Sequence, residues 1–336
     1  MNIERAKQLA KLFAGQRILV VGDLMLDKYI HGSVDRISPE APVPVVRVGR
    51  EREVLGGAAN VASNVCAFGG KAVIAGVVGN DVAGRDLLAL MKEQGICTRA
   101  VRTVVGFQTT VKMRVLADRQ QVVRVDWESD SRLPPDDIQA FCEMISKEIE
   151  SCDGVVVEDY SKGIVCQEVM DAILGAAKVK GIPVGLDPKD NLNLSIKGIT
   201  LATPNYKEAH LCSGLPAKAP PPGDPMNDVS LRKAAEALLK IWEPEQLLVT
   251  LGANGMYMLA RNTPPRVIPT RAREVYDVSG AGDTVIATCV MALAAGASFN
   301  EAAVLGNNAA GVVVGKLGTA TCSPVELIAS VERNEV

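Results

Sequence analysis

The stretch Val275-Tyr276-Asp277-Val278-Ser279-Gly280-Ala281-Gly282-Asp283-Thr284 holds the residues of this chain best suited to chemistry. Three small residues, Gly280, Ala281 and Gly282, precede an apolar helical pattern that begins near Thr284 and runs to Gly296. Small residues let consecutive backbone N–H groups converge on one point. That point lies at the positive end of the helix dipole, so it favours an anion. Asp283 falls on the first turn, where its carboxylate faces whatever the amides hold. An anion cradle beside a carboxylate suits phosphoryl transfer to a hydroxyl. The amides stabilise charge on the moving group, and the carboxylate takes the alcohol proton. The same residues also fit a plainer role, an Asp at a helix N-cap after a flexible loop.

The wider string points further. Asp277-Val278-Ser279-Gly280-Ala281-Gly282-Asp283-Thr284 resembles the C-terminal signature of the ribokinase-like (PfkB) sugar kinases. Gly56-Gly57-Ala58-Ala59-Asn60-Val61-Ala62 resembles their N-terminal signature, a Gly-Gly before an Asn-bearing helix. The two occur in the family's order, about 220 residues apart. The resemblance implies an α/β fold: a three-layer α/β/α sandwich with a mainly parallel sheet and a small β-sheet lid. It also implies ATP and magnesium as cofactors and a monovalent cation near Asp277 and Ser279.

The elements that must position these residues can be read from periodicity. Short apolar runs at Ile18–Val21, Val73–Val78, Val155–Val157, Val184–Leu186, Ile199–Ala202 and Leu247–Thr250 read as strands. Helical patterns at Val82–Gln94, Pro135–Glu150, Gln167–Val179 and Leu231–Trp242 lie between many of them. Such alternation predicts a parallel sheet covered on both faces. Two regions break it, roughly 28–50 and 107–127. Thr109–Val115 and Gln121–Trp127 read as a hairpin around Asp118-Arg119. The pattern leaves two placements open for these regions, a separate lid or extra edge strands of the main sheet. The proline-rich Ala217–Pro225 reads as a surface loop. No internal repeat or linker appears, so residues 1–336 are expected to form one domain.

In open α/β sheets ligands bind outside the carboxyl ends of the strands. Polar residues gather at five such ends: Asp23 and Asp27, Glu158-Asp159 with Lys162, Asp187-Pro188-Lys189, Thr203-Pro204-Asn205 with Glu208, and Thr250-Leu251-Gly252. The family resemblance assigns roles to them. Asp283 matches the catalytic base, and Gly280, Ala281 and Gly282 the anion hole. Asp23 and Asn60 match residues that hold the sugar, and Gly56-Gly57 a hinge beneath the lid. Asn205-Tyr206-Lys207-Glu208 matches an N-x-x-E motif that supports magnesium and the nucleotide phosphates, with Glu208 nearest the metal. Thr250 to Gly255 matches a tract on the ATP phosphates and ribose, and residues around Asn307, Asn308 and Ala309 lie near the adenine in that family. Each has a plainer reading: Glu208 as a solvated helix residue, Gly252 and Gly255 as hairpin glycines, Asn60 as a polar group on a helix surface.

A narrower similarity is to the bacterial D-glycero-β-D-manno-heptose-7-phosphate kinases. It rests on Gly22-Asp23-Leu24-Met25-Leu26-Asp27-Lys28-Tyr29, on Arg36 to Val45, on Asp159-Tyr160-Ser161-Lys162-Gly163, on Asp187-Pro188-Lys189 and Thr203-Pro204-Asn205, and on Gly311 to Thr319. Two departures stand out: Glu158 occupies a place where a small residue is usual, and Thr250–Gly255 reads more like ribokinase. The similarity implies phosphorylation of the anomeric hydroxyl of heptose 7-phosphate. A separate nucleotidyltransferase is then expected in the same pathway. A sugar phosphate needs cations away from ATP, and Lys112, Arg114, Arg36, Lys162 and Lys189 are the candidates, though any of them could be a solvated surface charge. Asp27 and Asp159 complete the candidate sugar site. Exposed edges of a small lid predict a homodimer through paired lids.

Bulk properties exclude several other classes. Hydrophobic residues make up 48%, aromatics 4%, and the net charge is −3 with no basic block, which speaks against nucleic acid as partner. No apolar run reaches membrane-spanning length and no signal-peptide core is present. Eight well-separated cysteines and two histidines fit reduced thiols in the cytoplasm rather than zinc or disulfides. Asn193-Leu194-Ser195 is a chance match to a glycosylation acceptor. Gly311 to Leu317 imitates a phosphate loop but is one residue short and lacks the hydroxyl, so Lys316 reads as a surface cation. A dinucleotide oxidoreductase is disfavoured because Gly22-Asp23-Leu24 places an acid where pyrophosphate would sit. A ligand-binding regulator without catalysis is the remaining alternative, and the intact loop with Asp283 argues against it.

Overall fold

A computed structural model describes residues 1–118, 120–128, 133–189, 194–216, 223–271 and 275–334. Arg119, Asn193 and residues 217–222 of the expected loop lie outside the described residues. The strands are β1 (Arg17–Gly22), β2 (Leu24–Ile37), β3 (Pro44–Gly57), β4 (Lys71–Gly79), β5 (Cys97–Val104), β6 (Thr110–Ala117), β7 (Gln120–Trp127), β8 (Gly154–Glu158), β9 (Val184–Asp187), β10 (Leu201–Ala202), β11 (Gln246–Thr250), β12 (Met256–Ala260) and β13 (Arg266–Ile268). The helices are α1 (Ile3–Phe13), α2 (Ala58–Ala67), α3 (Val82–Glu93), α4 (Pro135–Ile149), α5 (Gln167–Lys180), α6 (Tyr206–Cys212), α7 (Val229–Ile241), α8 (Ala281–Ala294), α9 (Phe299–Val313) and α10 (Pro324–Arg333).

The main sheet has the order β13-β12-β11-β10-β9-β8-β1-β4-β5. It is parallel from β11 to β5, and β12 and β13 add antiparallel strands at one edge. Strand β1 shows why three layers form. Ile18 and Val20 enter one apolar cluster with α1, α2, α3, α8, α9 and α10. Leu19 and Val21 enter a second with α4, α5, α6 and α7. Successive strand side chains point to opposite faces, so a run that is apolar throughout needs helices on both. Helix α8 is buried on almost every side, which explains its nearly continuous apolar sequence.

The interrupted regions form a second sheet, β3-β2-β6-β7, and are not edge strands of the main one. Its first region is wider than 28–50, since β2 begins at Leu24 and β3 runs on to Gly57, while its second, Thr110 to Trp127, falls within 107–127. Strand β6 runs parallel to β2, while β2–β3 and β6–β7 are antiparallel. A single residue, Asp23, separates β1 from β2, and none separates β3 from α2. All eight cysteines are free thiols. Among the described residues no helix is long and apolar enough to cross a membrane.

Candidate active site

The chain runs outward from β1 in both directions, through β4 and β5 on one side and through β8 to β11 on the other. The switch point at β1/β8 is where an open α/β sheet leaves a crevice at its carboxyl edge. Register places Gly22 opposite Glu158, and Glu158 opposite Asp187. The N-termini of α2 and α8 arrive at the same edge. A broad groove lined by Leu174, Lys197, Glu245 and Phe299 lies at the opposite edge of the sheet and holds none of the expected catalytic groups.

Asp283 is the third residue of α8 and is 5% exposed. The Asn60 amide donates to its Oδ2 at 2.5 Å, and the Tyr160 hydroxyl donates to its Oδ1 at 3.2 Å. Burial raises the carboxyl above the usual aspartate value, while these two hydrogen bonds hold it down. The carboxylate's proton affinity is thus set by competition between desolvation and donors. Gly280 precedes it with φ +77°, and a Cβ there would sit 2.6 Å from the Asn60 amide nitrogen. Both the left-handed backbone and this close approach require glycine. The first amides of α8 lack intrahelical acceptors, as at any helix start, so the loop presents donors beside the base.

Glu158, Asp187 and Asp283 offer carboxylate oxygens within 4.8 Å of one another. Burial pushes the Glu158 and Asp187 carboxyls well above their ordinary values, and the neighbouring carboxylates push them further. Lys189 opposes that shift in both. The Thr203 hydroxyl donates to Asp187 at 3.0 Å. Glu208 is buried rather than a solvated helix residue. It closes a capping box with Asn205 at the start of α6, and Lys189 approaches it at 3.4 Å. Thr250 pairs with Asn205, so the two expected nucleotide motifs meet side by side. Gly252 and Gly255 bracket a 3-10 turn between β11 and β12.

Several expected site residues are placed but already engaged. Asp23 is buried at the end of β1. It accepts from the backbone N–H groups of Tyr160, Lys162 and Ile164, at 2.8, 3.0 and 3.3 Å, and so anchors the loop after β8. Burial nonetheless pushes its carboxyl up to about 6. Asp159 accepts from the Ser161 N–H at 2.8 Å within the same loop. Asp27 is ion-paired with Arg114 at 2.7 Å, and that guanidinium lies over the Tyr29 ring. Gly56 and Gly57 end β3 directly before α2. Asp277 accepts from the Ser279 and Gly318 N–H groups at 2.9 and 3.0 Å.

Four of the five expected phosphate cations face carboxylates. Lys112 and Lys162 converge on Glu128 at 2.9 and 2.7 Å, Arg114 takes Asp27, and Lys189 takes Glu208. Asn308, expected near the adenine, is buried and hydrogen-bonded within the protein. Its amide donates to the Val304 carbonyl, and its oxygen accepts from Ser330 and Asn334, tying α9 to α10. Asn307 donates to the Pro269 carbonyl at 2.7 Å. Lys316, the end of the false phosphate loop, pairs with Glu326 at 2.6 Å. Sequence reasoning passed over Tyr160, Glu158 and Asp187 as site residues. Each belonged to a string singled out at a strand end, and that position was the available signal.

Comparison with known proteins agrees with this geometry. Residues 16–326 match the model described as "pfkB family carbohydrate kinase". The chain is 42% identical over 321 residues to the "Bifunctional protein HldE" of Desulfatibacillum aliphaticivorans, covering 96% of this chain and 64% of that protein. It is 43% identical over 322 residues to the protein of the same name from Caulobacter vibrioides, with the same 96% and 64% coverage. The chain therefore spans a little under two thirds of these relatives. Among solved structures, Arabidopsis thaliana ribokinase complexed with ribose and ATP superposes with a TM-score of 0.71 at 20% identity, covering 94% of this chain and 99% of that one. Escherichia coli phosphofructokinase-2 in complex with potassium gives 0.73 at 21%, covering 96% and 100%. Ribokinase-like architecture, matching signatures and a buried Asp at a helix start converge on one assignment: the chain belongs to the pfkB family of carbohydrate kinases, phosphotransferases that act on a sugar hydroxyl.

Proposed function

We propose that this kinase phosphorylates the anomeric hydroxyl of D-glycero-β-D-manno-heptose 7-phosphate, giving the 1,7-bisphosphate as a precursor of ADP-heptose. The observation that carries the catalytic part is Asp283, buried beside the Gly280–Gly282 amides and held by Asn60 and Tyr160. The Asp283 carboxylate takes the proton of the sugar hydroxyl as that oxygen bonds to the terminal phosphorus of ATP. The bond from phosphorus to the bridging oxygen breaks, and ADP leaves. The loop amides hold the phosphoryl oxygens, whose charge is spread over them in the transition state. Asn60 and Tyr160 fix the carboxylate's direction and keep it ionised.

Magnesium fits the donor side, where buried Glu208 and half-buried Asp187 are oxygen donors opposed by Lys189. Bound there with ATP, it would neutralise phosphate charge. A potassium-like ion near Asp277 and Ser279 remains part of this reading, as does a cytosolic location with the cell's ATP. The small sheet is read as a lid. Its outer strand β7 exposes Val123, Val125 and Trp127, and we expect two lids to pair across a twofold axis. Light scattering at micromolar concentration should give a dimer mass, and a monomer mass refutes the pairing.

The sugar's own phosphate is assigned to Lys112 and Lys162. Two ammonium groups already converge on one anion, Glu128, and a phosphate dianion can compete for the same place. The heptose assignment is supported by the relatives named HldE at about 42% identity. An ADP-release assay across heptose 7-phosphate, fructose 6-phosphate, ribose and fructose tests it. Heptose 7-phosphate should have the highest kcat/KM. Preference for ribose or fructose over every sugar phosphate overturns the substrate and leaves the kinase.

A further inference from the structure

Two buried polar side chains stand one step behind the reacting groups and have no place in the mechanism above. Asn64 lies on α2, one turn after Asn60, and Thr284 lies on α8, directly after Asp283. Both are 0% exposed, between helices whose apolar residues Val61, Val65, Val285 and Cys289 belong to one core cluster. The Asn64 amide donates to the Asn60 carbonyl at 3.0 Å, one turn back in its own helix. The Thr284 hydroxyl lies 3.0 Å from the Gly280 carbonyl, also one turn back. The same hydroxyl lies 3.0 Å from Oδ1 of Asn64, so its one proton is shared across the gap between the helices. With the Asn60 amide on Asp283, these contacts close a ring through both signature segments. A bond to the carbonyl four residues back would satisfy Thr284 without any partner on α2. An apolar pair of similar size would fill the space with no polar group to desolvate.

We propose that Asn64 and Thr284 are positioning residues for phosphoryl transfer: their hydrogen bond fixes α2 against α8 so that the Asn60 amide stays on Asp283 and the Gly280 turn keeps its place. A buried polar pair of this kind sets register between helices more than it adds stability. The proposal rests on Asp283 as the base, the catalytic part of the reading above, and not on the identity of the sugar. The fit leaves little slack, since a Cβ on Gly280 would sit 2.6 Å from the Asn60 amide nitrogen. A change in the spacing of α2 and α8 therefore reaches the carboxylate and the anion loop together. Asp283 also faces Tyr160 from the loop after β8, Glu158 of β8, Asp187 of β9 and the field of Asp27 on β2. Asn60 is the group among them that α2 carries, so loosening α2 withdraws one donor and leaves the others in place. Burial then stands less opposed, and the carboxylate holds its proton to higher pH.

The test is a double-mutant cycle read by thermal melts and by ADP release, with heptose 7-phosphate or whichever sugar of the panel above turns over fastest. Thr284→Val keeps the volume and removes the hydroxyl. It should lower kcat by about ten- to a hundredfold, the effect of a small misplacement of reacting groups, and move the acid limb of kcat/KM to higher pH. Thr284→Ser keeps the hydroxyl and should retain most of the wild-type rate. Asn64→Leu combined with Thr284→Val leaves neither partner unpaired, so it should melt closer to wild type than Thr284→Val alone while kcat stays low. The two substitutions together should cost less than the product of their separate effects, because they break one bond. If Thr284→Val does not fold, the double variant and Thr284→Ser carry the test. Wild-type kcat and an unmoved acid limb in the double variant overturn the proposal, since the pair then only packs. So does a Thr284→Ser variant as slow as Thr284→Val. Asp283→Asn run alongside separates the two failures. Normal turnover there removes the base itself, whereas an inactive Asp283→Asn beside unimpaired pair variants removes the positioning role alone.

Discussion

The crevice at the β1/β8 switch point and the small sheet are both rich in charge, and they use it in opposite ways. In the sheet and on its border the charges come in pairs: Arg114 with Asp27, Lys28 with Glu53, Arg124 with Asp126, and Lys112 and Lys162 with Glu128. Most of these are partly solvated, and such pairs add little stability and exchange partners easily. In the crevice Glu158, Asp187, Glu208 and Asp283 act on one another, with Lys189 as the opposing cation. That charge is buried and unbalanced. These sheet charges are matched by a partner of opposite sign, whereas the crevice's carboxylates are not. A balanced pair thus reports on how a region holds its shape, and an unbalanced cluster on what the region is for.

The largest effect should come from the crevice. Asp283→Asn keeps the side chain's shape and removes its basicity, so kcat should fall by about 10²–10⁴-fold or more while nucleotide binding persists. Steady-state kinetics with a binding titration would show it, and near-normal turnover in the folded variant removes Asp283 from its role. Next comes the border between the regions. Lys162→Ala should reduce kcat/KM for the phosphorylated sugar by roughly ten- to a hundredfold, the effect of losing a charge-assisted contact worth about 1.5–3 kcal/mol. Affinity for ATP should not change. An equal loss toward an unphosphorylated sugar would mean that Lys162 supports the loop and not the phosphate.

A subtler test uses pH. Asp283 works ionised, so activity is lost as pH falls through its pKa, and burial places that limb above the ordinary aspartate value of 3.8. The Tyr160 hydroxyl favours the ionised form. Tyr160→Phe should therefore move the acid limb of kcat/KM to higher pH, with less effect on the plateau than Asp283→Asn. A limb that stays in place, or moves down, contradicts the hydrogen bond's direction. The smallest effect belongs to the sheet's surface. Arg124, half exposed and paired with Asp126, should cost less than about 1 kcal/mol of stability when replaced by Ala, as read by urea denaturation. A loss of several kcal/mol there would erase the contrast between the regions.

Much of this was legible in the sequence where the signal is local. The apolar runs of β1, β4, β8, β9 and β11, and the helical patterns of α3, α4, α5 and α7, needed one face or two to be greasy, and they were. Strand β5 escaped because Cys97–Val104 mixes charge with apolar residues, as a half-exposed edge does. Asp283, Gly280 and Asn60 were legible because each lies within a short signature. The Asp283–Tyr160 contact, the Glu158–Asp187 pair and the amides on Asp23 were not. They depend on register between strands far apart in the chain, and strand ends alone do not reveal register. Whether a cation meets a phosphate or a carboxylate is likewise a tertiary matter, as Arg114 on Asp27 illustrates.

The joints between the two regions have one more consequence. At one of its joints the small sheet leaves β1 through Asp23 and returns at Gly57 straight into α2, and the Ala58 N–H donates to the Asp23 carbonyl at 3.1 Å across that gap. Each ordered residue costs roughly 1–2 kcal/mol of backbone entropy, so a flap on long tethers would give up much of its binding energy when it settled. At this joint almost no torsions are left to freeze. A tilt of the sheet would turn the first residues of α2, and with them Asn60, whose amide rests on the catalytic carboxylate. The same few bonds would make any such tilt mechanically audible at Asp283.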